Sequence, residues 1–343
     1  MRLRIDLAYD GGGFHGWAKQ PGLRTVQGVV ETALHTVMRV PVDDADEPLR
    51  LVVAGRTDTG VHAAHQVCHL DVGEATLDRC VGHMQVPAVE ALRRRLSHDL
   101  PDDIALHGVQ VAPDGFDARF SALERTYVYR IADGARPADP RLRGFVWNLE
   151  DTLDIPAMNQ AAAMTIGLHD FGSFATPNPG GTTIREVKKA VWKRVPATGL
   201  YGDAVGFVDA QPSTAPGGND KPAIVGTSET PSVAACGSGF TTGRSSTDQA
   251  YAVPSLESGL VCFTIVADAF AHNMVRSLVN ACVQVGRHRK SLDWFARKMA
   301  EPVREGSTGP IAACGLTLEH VAYPPDTELA KRAVAIRARR TLD

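Results

Sequence analysis

The feature that most constrains the fold of this sequence is an order of strands and helices that occurs twice along its 343 residues. The segment Leu3–Tyr9 alternates apolar and polar side chains, as a half-buried strand does, and it ends in an Asp-Gly turn at 10–11. The segment Arg125–Ile131 has the same pattern and ends in an Asp-Gly turn at 133–134. After each of these strands the spacing predicts a helix, two strands, a second helix and a last strand. The repeat predicts an α+β fold of two fused ferredoxin-like (β-α-β-β-α-β) halves, with antiparallel sheets and a central cleft.

The predicted elements place the border between the halves near residue 115. Residues 1–115 form the N-terminal catalytic half and residues 116–343 the C-terminal half. In the first half we expect strands at 3–9, 51–54, 65–72 and 104–111 and helices at 25–40 and 86–98. In the second half we expect strands at 125–131, 187–194, 259–267 and 314–322 and helices at 154–167 and 273–286.

One segment, at about 195–255, does not fit the repeat. It is crowded with Gly, Ser, Thr, Pro and Ala and offers little apolar area to offset the entropy of ordering. We therefore predict a disordered or loosely ordered insertion that interrupts the C-terminal half. It falls between two strands, where a loop lengthens at small thermodynamic cost.

Cysteine usage and hydropathy indicate the compartment. The six cysteines are scattered with no CxxC pair, and the first residues alternate in charge without an apolar signal core. No apolar run approaches the roughly 20 residues that span a bilayer. We expect a cytoplasmic protein without a membrane segment.

The distribution of charge matters more than its sum. The net charge is −3, and the 195–255 segment alone carries five acidic and two basic residues, which also sum to −3. Basic clusters remain elsewhere, at 93–95, 188–189 and 287–290. Local basic patches attract phosphates, although each cluster is also explained as an ordinary solvated face.

The apolar run 51–54 ends abruptly in the loop Gly55–Gly60, which contains Arg56 and Asp58. A carboxylate at the end of a strand can serve as a nucleophile or general base, and a nearby arginine would keep it charged. The alternative is an aspartate that only caps the backbone of a turn. The spacing by itself leaves both interpretations open.

Three histidines and a cysteine follow this loop: His62, His65, Cys68 and His69. They resemble a metal cluster at first sight. Alternation along a strand, however, sends His65 and Cys68 to opposite faces, and no distant CxxC or HxxxH completes a ligand set. We therefore expect no metal.

Two further side chains are candidates for a nucleotide site. Tyr127 and Tyr129 share one face of a strand, where an aromatic pair usually packs in the core and alternatively stacks on a base. Arg276 lies on a helix beside apolar residues, where an arginine usually extends to solvent; in a cleft it would pair with a carboxylate or a phosphate.

Taken together, the motifs resemble those of the tRNA pseudouridine synthase A family, which isomerises uridines in the anticodon stem-loop. The similarity spans nearly the whole chain outside the insertion. The loop AGRTDTGVHA resembles the signature of the family. The other matching segments are Tyr9–Gly11 with Phe14–Trp17, Thr25–Gln27, Phe116–Ala122 before Tyr127, Phe270 to Arg276 and Cys314–Leu318.

The resemblance implies roles for four residues. Asp58 matches the essential catalytic aspartate and Arg56 the arginine that accompanies it. Tyr127 matches the active-site tyrosine that packs on the target base and is proposed to assist proton removal. Arg276 matches the arginine that pairs with the aspartate and helps hold the flipped nucleotide. Similar enzymes use no cofactor and no metal, and act as homodimers with one tRNA bridging both subunits.

These expectations compete with two other functions. A catalytically idle RNA-binding module on the same fold would bind tRNA with a strong salt dependence and form no product. A metal-dependent hydrolase would use His62, His65 and His69 and would contain a metal. The resemblance favours the isomerase and implies that it acts on uridines 38–40 of tRNA with Asp58 as its catalytic carboxylate.

Overall fold

A computed structural model of the chain describes residues 1–42, 48–135, 139–177, 181–196 and 256–335. The strands in these ranges are β1 (Arg2–Tyr9), β2 (Val52–Val53), β3 (His62–Asp71), β4 (Ile104–Val111), β5 (Glu124–Ala132), β6 (Trp147–Asn148), β7 (Gly167–Asp170), β8 (Ile184–Arg194), β9 (Val261–Ala267) and β10 (Leu316–Ala322). The α-helices are α1 (Val26–Met38), α2 (Glu74–Asp78), α3 (Ala88–Asp99), α4 (Ile155–Ala163), α5 (Met274–Gly286), α6 (Leu292–Ala300) and α7 (Leu329–Ala335).

The strands form one sheet in the order β4-β1-β3-β10-β5-β9-β8-β7, with β2 beside β3 and β6 beside β5. Every pair is antiparallel except β3 with β10 and β5 with β6. The predicted α+β class with a mostly antiparallel sheet is therefore confirmed. The parallel β3–β10 pair joins the strands of the first half to those of the second half in one continuous sheet.

The alternation in β1 shows why one face of the sheet is covered. Leu3, Ile5 and Leu7 are fully buried, whereas the residues between them remain partly exposed. Helix α1 supplies part of the cover with Val26, Val30 and Leu34, in the i, i+4 spacing of an amphipathic helix. The same apolar cluster continues under β5 and β9, so strands of the two sequence halves share a core.

Most predicted elements are confirmed within a few residues, and one is wrong at its C-terminal end. The helix expected over 154–167 ends at Ala163, and the chain turns at Gly167 (φ +110°) to begin β7. The Thr165 hydroxyl donates to the Ala162 carbonyl and helps to close the last turn. The pattern did not predict β7 or α6.

The described residues of 1–196 and 259–335 belong to one compact unit. From residue 197 onward, the predicted insertion at 195–255 lies outside the described residues. Among the helices of the described ranges, none is long and apolar enough to cross a membrane.

Candidate active site

The loop that carries Asp58 connects β2 to β3 and is fixed by buried polar side chains. Gln66 donates from Nε2 to the Gly55 carbonyl at 2.8 Å and to the Tyr9 hydroxyl at 3.2 Å. The Tyr9 and Thr57 hydroxyls are 2.8 Å apart, so Tyr9 is left with a proton to donate to Thr57. Burial raises the pKa of Tyr9 far above its ordinary value, which keeps that proton in place. The backbone that leads into Asp58 is therefore held by hydrogen bonds from buried side chains.

The turn at 14–17 supports the same loop from the other side. The Trp17 amide donates to the Thr57 carbonyl at 3.0 Å, and the Gly60 amide donates to the Phe14 carbonyl at 3.3 Å. Gly16 has φ +84°, and a Cβ at this position would be 2.8 Å from the Thr57 carbonyl oxygen. The approach of the two chains therefore requires glycine here.

The Asp58 carboxylate faces the second half of the molecule. Its Oδ1 is 3.4 Å from Nε2 of His272, with side-chain exposures of 28% for Asp58 and 52% for His272. Arg56 is exposed, and within the described ranges it makes no ion pair with Asp58. The arrangement presents the carboxylate at a partly open surface, with an imidazole as its nearest ionisable partner.

Tyr127 lies beside this carboxylate on β5 and is 7% exposed. Its ring packs edge-on against Phe270, with centroids 5.2 Å apart and planes at 90°. Burial raises the pKa of Tyr127 strongly, and the nearby Asp58 carboxylate raises it further. The phenol is therefore protonated at neutral pH and offers an aromatic surface and a donor.

Arg276 lies in the first turn of α5 and is held by backbone and side-chain oxygens. Its Nε donates to the Ile311 carbonyl at 2.7 Å, and its Nη1 is 3.5 Å from the Asn273 side-chain oxygen. Among the described residues Arg276 makes no ion pair with Asp58, although the resemblance implies one. In the structure His272 occupies the position next to the carboxylate.

The segment around His272 is anchored through Thr176. The Thr176 amide donates to the His272 carbonyl at 2.9 Å, while its hydroxyl accepts from Asn273 at 2.9 Å and from Arg304 at 2.5 Å. Asn273 adopts φ +63°, a left-handed conformation that turns the chain into α5. Sequence reasoning gave His272 no role; its position between Phe270 and Arg276 in the late motif was the available signal.

The neighbouring histidines have protein partners. His62 accepts from the Gly11 amide and His69 from the Ala118 amide, both through Nδ1 at 3.0 Å. Burial is the main cause that lowers the pKa of each. In the part of the chain that the structure describes, no group of three or more potential ligands is arranged to hold a metal ion.

The chain is similar in sequence to known proteins over nearly its whole length. A model of the tRNA pseudouridine synthase family matches residues 161–324. The chain is 63% identical over 341 residues to the tRNA pseudouridine synthase A of Bifidobacterium longum, with 99% of both chains covered. It is 59% identical to that of Bifidobacterium animalis subsp. lactis, again with 99% of both covered. It is 39% identical over 342 residues to that of Streptomyces griseus, covering all of this chain and 95% of the relative. The chain therefore belongs to the tRNA pseudouridine synthase A family.

Proposed function

We propose that this protein converts uridines 38–40 in the anticodon stem-loop of tRNA to pseudouridine, with Asp58 as the essential catalytic carboxylate. The observation that supports this proposal most strongly is the 3.4 Å distance between Oδ1 of Asp58, in the first half, and Nε2 of His272, in the second half. Tyr127 lies near enough for the Asp58 charge to affect its pKa. A fixed carboxylate that faces an imidazole and an aromatic ring suits attack on a nucleotide taken out of its stack.

The reaction breaks the N1–C1′ bond of uridine, rotates the freed uracil and joins it to C1′ through C5. C5 loses its proton and N1 gains one, so that the product is an isomer of the substrate. Asp58 either attacks C1′ or stabilises positive charge there while it removes a nearby proton. Both routes require an ionised carboxylate at a set distance from the sugar. The bonds at Gly55, Thr57 and Gly60 provide that fixed position.

Three other side chains complete the proposed site. Tyr127, protonated and packed on Phe270, supports the flipped base through its ring. Arg276 leaves the Ile311 carbonyl when tRNA binds and pairs with Asp58 or the flipped nucleotide. The exposed Arg56 contacts the RNA. Flipping costs a few kcal/mol, which the arginine and aromatic contacts offset.

We propose further properties on the basis of the resemblance and the order of the elements. The protein acts in the cytoplasm as a homodimer, with one tRNA bridging both subunits and without cofactor or metal. Residues 1–115 and 116–343 correspond to two ferredoxin-like halves around a cleft. Light scattering of the purified protein, alone and with tRNA, tests the dimer by its mass.

Mapping of pseudouridine on unmodified transcripts tests the function. Three transcripts carry a single anticodon-stem uridine, at position 38, 39 or 40, and a fourth carries none there. We expect product at each of the three positions and none in the fourth transcript. Salt-dependent binding without product would instead show an idle RNA-binding module, and product only elsewhere in the tRNA would contradict the assigned substrate.

A further inference from the structure

Arg125 is a buried cation that contacts both halves of the chain. It lies on β5, two residues before Tyr127 and on the same side of the strand, and it is 7% exposed. Within the described residues its guanidinium has no carboxylate partner, and it donates only to backbone carbonyls. Burial accordingly lowers the pKa of this arginine. A buried cation is costly, so its position calls for a structural reason.

The three acceptors belong to three different segments. Nη1 donates to the Asp268 carbonyl at 2.6 Å. Nη2 donates to the Ala54 carbonyl at 2.5 Å and to the Arg119 carbonyl at 2.9 Å. The planar guanidinium holds these bonds in one rigid fork, which a lysine ammonium cannot reproduce.

The carbonyls of Ala54 and Asp268 lie at equal sequence distances from the two facing residues of the site, Asp58 and His272. Ala54 precedes Asp58 by four residues, at the end of β2, and Asp268 precedes His272 by four residues, at the end of β9. Each carbonyl therefore marks the point where a strand ends and a segment of the site begins. One side chain thus connects the base of the Asp58 loop to the base of the His272 segment.

The local bonds of both anchor points are consistent with a fixed link. The Ala54 amide donates to the Val67 carbonyl at 2.9 Å, which ties the end of β2 to β3. The Asp268 carboxylate accepts from the amides of Glu186 and Ala269, and the Asp268 amide donates to the Glu186 carbonyl. Because both anchors are rigid, the guanidinium between them fixes their separation.

We propose that Arg125 is a positioning residue that sets the distance between Asp58 and the second half of the site for catalysis. Arg125 does not touch the substrate; it acts through Ala54 and Asp268. Replacing Arg125 shifts the Asp58 loop relative to His272 and Tyr127, while the surface that binds tRNA stays in place. The inference rests on the proposed role of Asp58.

Steady-state kinetics of Arg125→Lys on unmodified tRNA test this inference, with Arg130→Lys as the matched control. Arg130 lies on the same strand facing the other side of the sheet, where it pairs with Glu319 at 2.7 Å. We expect Arg125→Lys to lower kcat about 100-fold, the scale of a displacement near 1 Å, with KM within about threefold of the wild-type value. Arg130→Lys should retain both constants.

Loss of kcat in both lysine variants, an unchanged kcat in Arg125→Lys, or a rise in KM alone would overturn the inference. If Arg125→Lys does not reach the native circular dichroism spectrum, Arg125→Gln is measured in the same way, because it leaves no charge buried without partners. Asp58→Asn, assayed beside them, separates the two claims. An active Asp58→Asn removes the proposed role of Asp58, whereas an inactive Asp58→Asn with a fully active Arg125→Lys removes only this inference.

Discussion

The Asp58 loop and the segment that carries His272 and Arg276 face each other, yet they are held in different ways. The loop is fixed from both sides by the buried Tyr9 and Gln66 and by the turn at 14–17. The opposite segment is more open: His272 is 52% exposed, and Arg276 is tied to a single close carbonyl. The difference indicates that the carboxylate is positioned before tRNA binds, and that the side chains of His272 and Arg276 adjust when it binds.

The largest expected effect comes from the fixed side. Asp58→Asn keeps the size of the side chain but removes its charge, and we expect kcat to fall at least about 1,000-fold, the scale of losing a nucleophile or general base. Asp71→Asn is the matched control, because Asp71 pairs with Arg2 at the end of β3 and should leave kcat unchanged. Single-turnover rates on unmodified tRNA measure both. If Asp58→Asn keeps a rate near that of the wild type, the fixed side does not hold an essential carboxylate, and its rigidity has no catalytic consequence.

We expect a smaller loss of kcat when Gly16, the glycine that the fixed side requires, is replaced. Gly16→Ala places a methyl group 2.8 Å from the Thr57 carbonyl and should displace the Asp58 loop, lowering kcat about 100-fold. Gly22→Ala is the control, because Gly22 also has a positive φ (+71°) but its Cβ would meet nothing within 4 Å. Thermal unfolding should show a small loss of stability in both variants, about 1 kcal/mol from the backbone strain. Equal kcat values in Gly16→Ala and Gly22→Ala would show that the contact between residue 16 and the Asp58 loop does not affect catalysis.

A pair of hydroxyl deletions compares the two sides directly. Thr57→Val removes the partner of Tyr9, and Thr176→Val removes the acceptor of Asn273 and Arg304. We expect Thr57→Val to lower kcat about tenfold, the equivalent of one hydrogen bond, with KM unchanged. Thr176→Val should mainly raise KM for tRNA, because its side of the site is ordered by binding. The reverse pattern would contradict the assignment of fixed and adjustable sides.

The smallest effect concerns pH. Burial lowers the pKa of His69, on the strand that follows the loop, below its ordinary value of 6.5. As the pH falls below 6.5, the unfolded chain therefore binds a proton before the folded protein does, and the free energy of unfolding decreases. Urea unfolding at pH 7.5 and pH 5.5 measures this decrease, two values chosen on either side of the ordinary histidine pKa. His69→Gln, which can still accept from Ala118, should show a smaller decrease. An equal decrease would assign the effect to other groups.

The sequence predicted the fold well where the pattern is strongly periodic, as in β1, α1 and α5. It failed where tertiary contacts decide the outcome: α4 ends early, and β7 forms by pairing with β8. In the site, the loop motif made Asp58 the candidate carboxylate, but spacing could not show which basic side chain faces it. Arg56 was expected beside Asp58 and is exposed, whereas His272, which had no assigned role, is the neighbour. Contacts of this kind join residues more than 200 positions apart, so local patterns do not contain them.

The most direct test is a crystal structure of Asp58→Asn bound to tRNA, in which turnover is blocked. The account predicts that the backbone of residues 55–60 stays within about 1 Å of its present position, as in other preorganised sites. It also predicts that the Arg276 guanidinium leaves the Ile311 carbonyl and contacts residue 58 or the flipped nucleotide. A loop that moves by more than about 2 Å while Arg276 keeps its bond to Ile311 would contradict the account.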